Sequence, residues 1–346
     1  MVVTESSGRW APAVTIRLPA NAATTDGSAT VAGMSCPSRS GCVAVGNYGL
    51  PTNALQGFIT TGHGKTWSKA RTPELPTGSA PTQDSYLTGV SCTRPGSCVT
   101  VGGYTTSASK AEAMAETESS GHWRRAVAIR PPANAAASPF AHLSAVSCPK
   151  AGDCVAVGGY SSKSLGEAVM AAVEVRGKWR RATQVRMPAS STAVPEAELY
   201  SVSCPSAGNC VATGFYTDTA GRGLPLVVAE SGGHWKRGIG LTSLPAGAAK
   251  ANQNASLNAV TCSKSSCTAV GAYATTALAS MPMAVTQAHG RWSRAMQIPL
   301  PAHAAGGSVQ AATLFGLACR GTNDCTGVGE YVDSAHITEA LAATRS

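Results

Sequence analysis

The chain has 346 residues and a formal charge of +9; 43% of it is apolar but only 5% is aromatic. Val, Ala and Leu must therefore build the cores, and the 37 glycines and 20 prolines serve many tight turns. No apolar run reaches the length of a membrane-crossing helix, and no charged, apolar, small-residue order at the start marks a signal peptide.

Residues 1–10 (MVVTESSGRW) read as a strand and a turn, and residues 11–18 as the strand that follows. They align with the middle of a later stretch, MAVTQAHGRW at 283–292, so the chain begins part-way through a repeating unit. The full unit starts near residue 31: a short apolar strand runs into Cys36, a polar loop follows, and Cys42 opens a second strand that ends at Tyr48. Its clearest copy is LSAVSCPKAGDCVAVGGY at 143–160. The first cysteines of the copies are Cys36, Cys92, Cys148, Cys204, Cys262 and Cys319, and their partners are Cys42, Cys98, Cys154, Cys210, Cys267 and Cys325. Tyr48, Tyr104, Tyr160, Tyr216, Tyr273 and Tyr331 close the second strands, and Trp10, Trp67, Trp123, Trp179, Trp235 and Trp292 recur with the same period. The first cysteines lie 56 to 58 residues apart. A fixed period of this length, carried by strand patterns, signals a β-propeller with one blade per repeat.

Each blade reads as four antiparallel strands. In the third repeat these are 143–148, 154–160, 167–175 and 179–186, with Arg176-Gly177-Lys178 as a tight turn. The last stretch, 314–346, supplies two strands and a partial third. The expectation is an all-β fold, a six-bladed β-propeller of four-stranded antiparallel blades, its ring closed by N-terminal strands that join the C-terminal blade. The whole chain, 1–346, is then a single propeller domain with blades near 31–86, 87–142, 143–198, 199–256, 257–313, and 314–346 completed by 1–30. ALAATRS at the C-terminus and residues 1–7 compete for the third place in the closing blade. A trimmed seven-bladed parent is the alternative.

All 12 cysteines pair off inside hairpins. That suits six local disulfides and an exported protein, extracellular or in the cell envelope. Each would close a loop of about seven residues and contribute roughly 2 kcal/mol through chain entropy. Zinc is the competing reading, but structural zinc wants a second Cys or His pair beside the first. Here neighbouring pairs belong to different blades and no histidine recurs beside them. No metal and no cofactor is expected.

The positive charge gathers around the tryptophans: Trp123-Arg124-Arg125, Trp179-Arg180-Arg181, Trp235-Lys236-Arg237 and Ser293-Arg294. A solvated outermost strand, guarded by charge against edge-to-edge pairing, is the plainer account. A belt that attracts polyanions is the sharper one. The belt lacks the interleaved aromatics of single-strand nucleic-acid binders, so no nucleic-acid partner is expected.

One turn carries a family resemblance. Residues 60–67, Thr-Thr-Gly-His-Gly-Lys-Thr-Trp, resemble the Asp-box of sialidase-like (BNR) propellers, S/T-x-D-x-G-x-T-W. Thr60, Gly64, Thr66 and Trp67 match, and Gly62 stands where the aspartate belongs. The other turns are shortened to Gly-x-Trp. The repeated SCPxxGxCVAVG hairpin is also similar to exported actinobacterial repeat proteins. In the sialidase-like families the motif has a structural place, with its aromatic packed between strands, so the resemblance implies the fold more than an activity.

Strand order puts the cysteine loops and tryptophan turns on one face, and the longer, more varied connections on the other. Long loops on a rigid scaffold are the default binding surface. Asp84, Tyr86, Glu198, Tyr200 and Arg222 are the candidate ligand-binding residues there, with Phe140 and Glu196 the other chemically able residues of that face. A sialidase-like mechanism asks for arginines gripping a carboxylate and a Tyr/Glu nucleophile pair, and a simple glycosidase for two carboxylates about 5–10 Å apart. Neither stands out, no catalytic residue is assigned, and no G-x-S-x-G elbow or phosphate loop is present. The tyrosines and tryptophans are read as blade-core residues rather than sugar platforms, because packing equal blades needs equal residues. High regularity without a polar cluster that breaks it favours a monomeric, non-catalytic binding module for a carbohydrate or cell-envelope polymer. A glycoside hydrolase and a protein-docking scaffold, with a protein as partner, are the alternatives.

Overall fold

The structure is a computed structural model that describes all residues except 3, 4, 7, 8, 25–27, 39, 40, 81–83, 165, 195, 322, 323 and 346, and leaves aside the side chains of 5, 6, 9 and 10. The chain is an all-β, six-bladed propeller of four-stranded antiparallel blades. Its helical content among the described residues is one 3-10 turn, Gly307–Val309. Among the described residues no helix is long and apolar enough to cross a membrane.

The fourth blade shows the common pattern. Ala197–Ser206 pairs with Asn209–Thr217, which pairs with Gly223–Ser231. The fourth strand is split. His234–Trp235 and Ile239–Gly240 both pair with the third strand, one at each end. The two central strands of the first five blades are mainly apolar and largely buried on both faces, as in Val211, Ala212, Leu226 and Val228. That burial explains why their alternation is weak in sequence.

A bulge interrupts the first strand of every blade just after its core Leu or Val: between Leu87 and Gly89, Leu143 and Ala145, Leu199 and Ser201, and Leu257 and Ala259, for example. The five blades with leucine keep that side chain fully buried (Leu87, Leu143, Leu199, Leu257 and Leu314). The bulge lets the leucine stay in the core while the next residue turns outward. It also dictates the Val-Gly or Thr-Gly step of the second strand. A Cβ on Gly102 would lie 1.9 Å from the carbonyl oxygen of Tyr86, and one on Gly214 would lie 1.8 Å from that of Glu198.

All six expected disulfides form inside their hairpins, with Cα–Cα separations of 4.0 to 4.1 Å. In blades two, three and four the cysteine loop lies against the tryptophan turn of its own blade. Gly121, Gly177 and Gly233 donate their N–H groups to the carbonyls of Gly96, Gly152 and Gly208 at 3.0, 2.8 and 2.9 Å. At the other end, bridges Ser79↔Thr106, Ala135↔Ser162, Ser191↔Asp218 and Ala248↔Thr275 stitch the long loop entering a blade to its second turn.

The residues group into two compact units, 1–163 with 170–183, and 164–169 with 184–346. In the first unit, the N-terminal segment packs Val2 and Ile16 against Tyr48, Phe58 and Ala70. Glu5–Ser6 pairs with Arg9–Trp10 as a small hairpin. In the second unit, the last blade is Thr313–Cys319, Cys325–Val332 and Thr338–Arg345 in that order. The C-terminal segment therefore takes the third place for which residues 1–7 also competed.

Candidate functional site

The first strand of the fourth blade turns two expected residues toward one spot. Glu198 stands opposite Phe215 across the first strand pair, and Tyr200 occupies the bulge between Leu199 and Ser201. The Tyr200 and Phe215 rings stack with centroids 5.9 Å apart and planes 22° from parallel. Tyr200 stays 38% exposed. Burial, with the nearby Glu198 charge, pushes its pKa up to about 12, so the hydroxyl keeps its proton and remains a donor at neutral pH. The result is an aromatic surface with a hydroxyl and a carboxylate at its edge.

The other expected residues are placed differently. Arg222 follows the second strand in the same blade. Its Nε and Nη2 donate to Asp218 Oδ2 at 2.8 and 2.6 Å, and its backbone N–H donates to Asp218 Oδ1 at 2.9 Å. Burial alone would raise the Asp218 pKa, but the bonds from Arg222 and from Ala220 N–H outweigh it and hold the carboxyl below its ordinary value. Asp84 and Tyr86 lie in the first unit. Asp84 Oδ1 accepts the Leu55 N–H at 2.8 Å, tying a turn of the first blade to the second. The half-buried Tyr86 ring lies over Gly103, where a Cβ would meet it at 2.6 Å.

Phe215 was not among the expected residues. Its signal is a break in the repeat: Asn47, Gly103, Gly159, Ala272 and Glu330 hold the equivalent place in the other blades. Tyr200 stands where Ala32, Thr88, Ser144 and Asn258 are smaller, and Phe315 is the other aromatic at that place.

The repeated aromatics behave as core. The six tyrosines are buried, and their hydroxyls act as latches. Tyr48 and Tyr160 donate to Asn21 and Asn134 at 2.9 Å, Tyr216 bonds Ser190 at 2.9 Å and Tyr331 bonds His303, each partner sitting in the loop that enters the blade. Where that loop offers Gly78 or Gly247 instead, Tyr104 turns to Glu112 and Tyr273 to Gln297.

The tryptophan turns hold a further set. Five residues before each tryptophan, at the aspartate's place in the Asp-box, stand Glu118, Glu174 and Glu230, with Gln287 and Gly62 in the fifth and first blades. Each of these glutamates faces its tryptophan across the hairpin. They are buried, each has one oxygen without a hydrogen-bond partner, and burial raises their pKa values. Beside Glu118 a cavity of about 20 Å³ is lined by Ser91, Thr93, Ser97 and the Cys148–Cys154 disulfide, room for a single water. Among the described residues no group of three or more His, Cys, Asp or Glu side chains is arranged to hold a metal.

No family model and no curated protein matches the sequence. Solved structures do match the fold. A protein of unknown function from Dyadobacter fermentans aligns with a TM-score of 0.53 at 10% identity, over 96% of both chains. The subtype N11 neuraminidase-like protein of the strain A/flat-faced bat/Peru aligns with a TM-score of 0.50 at 10% identity, over 99% of this chain and 92% of that one. A fucose-specific lectin from Aleuria aurantia aligns with a TM-score of 0.44 at 11% identity, over 92% and 96%. At such identity the likeness shows the fold alone, a β-propeller.

Proposed function

We propose that the protein is a non-catalytic, exported binding module for a carbohydrate or cell-envelope polymer, and that Tyr200, Phe215 and Glu198 form its contact with a sugar. The stacked, half-exposed pair of Tyr200 and Phe215 carries this reading. A flat apolar ring face suits the C–H face of a pyranose, while the tyrosine hydroxyl and Glu198 suit its hydroxyls. Six disulfides fit an oxidising compartment, which supports export.

Arg222 weighs the reading toward binding rather than hydrolysis. It is the arginine best placed in sequence for a sialidase-like carboxylate grip, and it is bonded to Asp218 through both Nε and Nη2. Fold likeness to neuraminidase-like proteins does not by itself transfer their chemistry.

A neutral-glycan array with the intact protein, followed by titration calorimetry on any hit, tests the proposal. Binding that Tyr200→Ala and Phe215→Gly each weaken, with the disulfides and melting temperature retained, supports it. Turnover of a fluorogenic glycoside by the wild type, lost in Glu198→Gln, would replace it with the hydrolase reading.

A further inference from the structure

The cations that follow the tryptophans divide into two sets. The second of each pair serves the fold: Arg125, Arg181, Arg237 and Arg294 donate to the carbonyls of Leu75, Pro131, Met187 and Leu244 in the preceding blade. The first of each pair, Arg124, Arg180 and Lys236, is exposed and has no acidic partner among the described residues.

At two seams between blades a third cation joins them. Ala182 N–H donates to the Arg130 carbonyl at 2.9 Å, and Gly238 N–H donates to the Arg186 carbonyl at 2.7 Å. These bonds set Arg130 beside Arg180–Arg181, and Arg186 beside Lys236–Arg237. The equivalent seams differ. One blade earlier, Ala126 N–H meets the Glu74 carbonyl at 2.7 Å, and the Glu74 carboxylate pairs with Arg125. One blade later, Ala295 N–H meets the Ser243 carbonyl at 2.9 Å, so no third charge is present. Fold stability needs only the backbone bond, which is the same in these four and again where Ala70 N–H meets the Arg17 carbonyl at 2.8 Å, so it does not account for the side-chain charge at residues 130 and 186.

We propose that these two seams, Arg130 with Arg180 and Arg181, and Arg186 with Lys236 and Arg237, bind the phosphate or sulfate groups of an anionic polymer. Guanidinium forks match tetrahedral oxyanions with paired, charge-assisted bonds. The carbonyl stitch already holds one arginine of each seam, so less side-chain freedom is lost on binding. A polymer offers many such groups, and copies of one site on one chain suit it better than a single small anion does. The proposal does not rest on the Tyr200 surface and stands or falls apart from it.

The test uses the intact protein, heparin as a sulfated probe, long-chain polyphosphate as a phosphate probe and dextran as an uncharged control, at low and moderate salt. The seam variant Arg130→Ser/Arg180→Ser/Arg186→Ser/Lys236→Ser leaves Arg181 and Arg237 in place. A control variant, Lys65→Ser/Lys163→Ser/Lys250→Ser/Lys264→Ser, removes the same charge from exposed residues elsewhere. The expected result is binding to at least one polyanion that falls about tenfold or more in the seam variant, little changed in the control variant, with both variants melting like the wild type. The stronger of the two probes identifies the group recognised. Equal losses in the two variants would reduce the effect to net charge and overturn the proposal, and so would a wild type that binds neither polyanion at low salt.

Discussion

Arg181 Nη1 donates to the carbonyl oxygen of Pro131 at 3.0 Å, 50 residues back along the chain. Arg125, Arg237 and Arg294 repeat the same span onto Leu75, Met187 and Leu244. One residue earlier in the chain, Arg180 makes no such bond among the described residues. We expect Arg181→Ala to cost about 0.5–1.5 kcal/mol, the worth of one charge-assisted bond at an exposed site, and Arg180→Ala to cost almost nothing. Urea denaturation of the two variants checks this; equal midpoints would remove the stitch from the account of stability.

The first and second blades share a different device. Arg71 Nη2 pairs with Glu116 Oε1 at 2.8 Å, its guanidinium lies 4.9 Å from the centre of the Trp123 ring, and Glu116 is 1% exposed. Removing the arginine leaves a buried carboxyl without its partner. Because Arg71 itself is 37% exposed, the loss for Arg71→Ala should be about 2–3 kcal/mol, below the range for a fully buried pair. Arg71→Met with Glu116→Leu should recover much of it, and a double-mutant cycle in urea measures the coupling.

The buried glutamates at the tryptophan turns set a pH dependence. Burial raises the pKa values of Glu118, Glu174 and Glu230, so the folded protein keeps protons that the unfolded chain has released. Their contribution is fully present below the ordinary carboxylate pKa and is lost as pH rises through the raised values. Asp153 and Asp218, whose pKa values are lowered, act oppositely: their contribution is present above the ordinary value and is lost as pH falls through the lowered ones. Blade five already carries the neutral isostere, Gln287. The triple change of Glu118, Glu174 and Glu230 to Gln should raise the melting temperature more at about pH 7.5 than at about pH 4.5, near the carboxylate range. A shift of equal size at both pH values would contradict the assignment.

Leu278 sits in the left-handed region at φ 63° and is 70% exposed. The corresponding residue of the fourth blade is Gly221, at φ 72°. A branched side chain there costs about 1–2 kcal/mol of backbone strain and packs little in return. Leu278→Asn or Leu278→Gly should therefore stabilise the protein, by roughly 0.5–1 kcal/mol after the entropy of the freer unfolded chain. Chemical denaturation decides it; a destabilised variant would mean that Leu278 is held by contacts of its own.

The sequence by itself determined the period, the six cysteine pairs, the order of strands within a blade and the turns on each face. All of these are local. A disulfide spans five or six residues, a hairpin fewer than twenty, and a repeat shows each local choice several times over. Tyr200 and Glu198 were legible as candidates because few charged or aromatic residues occur among the long connections and their flanks. Only the tertiary structure decided the rest. Arg180 and Arg181 look alike in sequence, yet among the described residues the Arg181 side chain is bonded to a carbonyl and that of Arg180 is not, because the deciding carbonyl belongs to the preceding blade. Arg222 became half of an ion pair because the turn folds Asp218 back onto it. Phe215 joined Tyr200 because strand register places it there, and Glu118 became buried beside the Cys148–Cys154 hairpin of the next blade. Each of these outcomes depends on which groups meet across strands or blades, and on how much water they lose when they do.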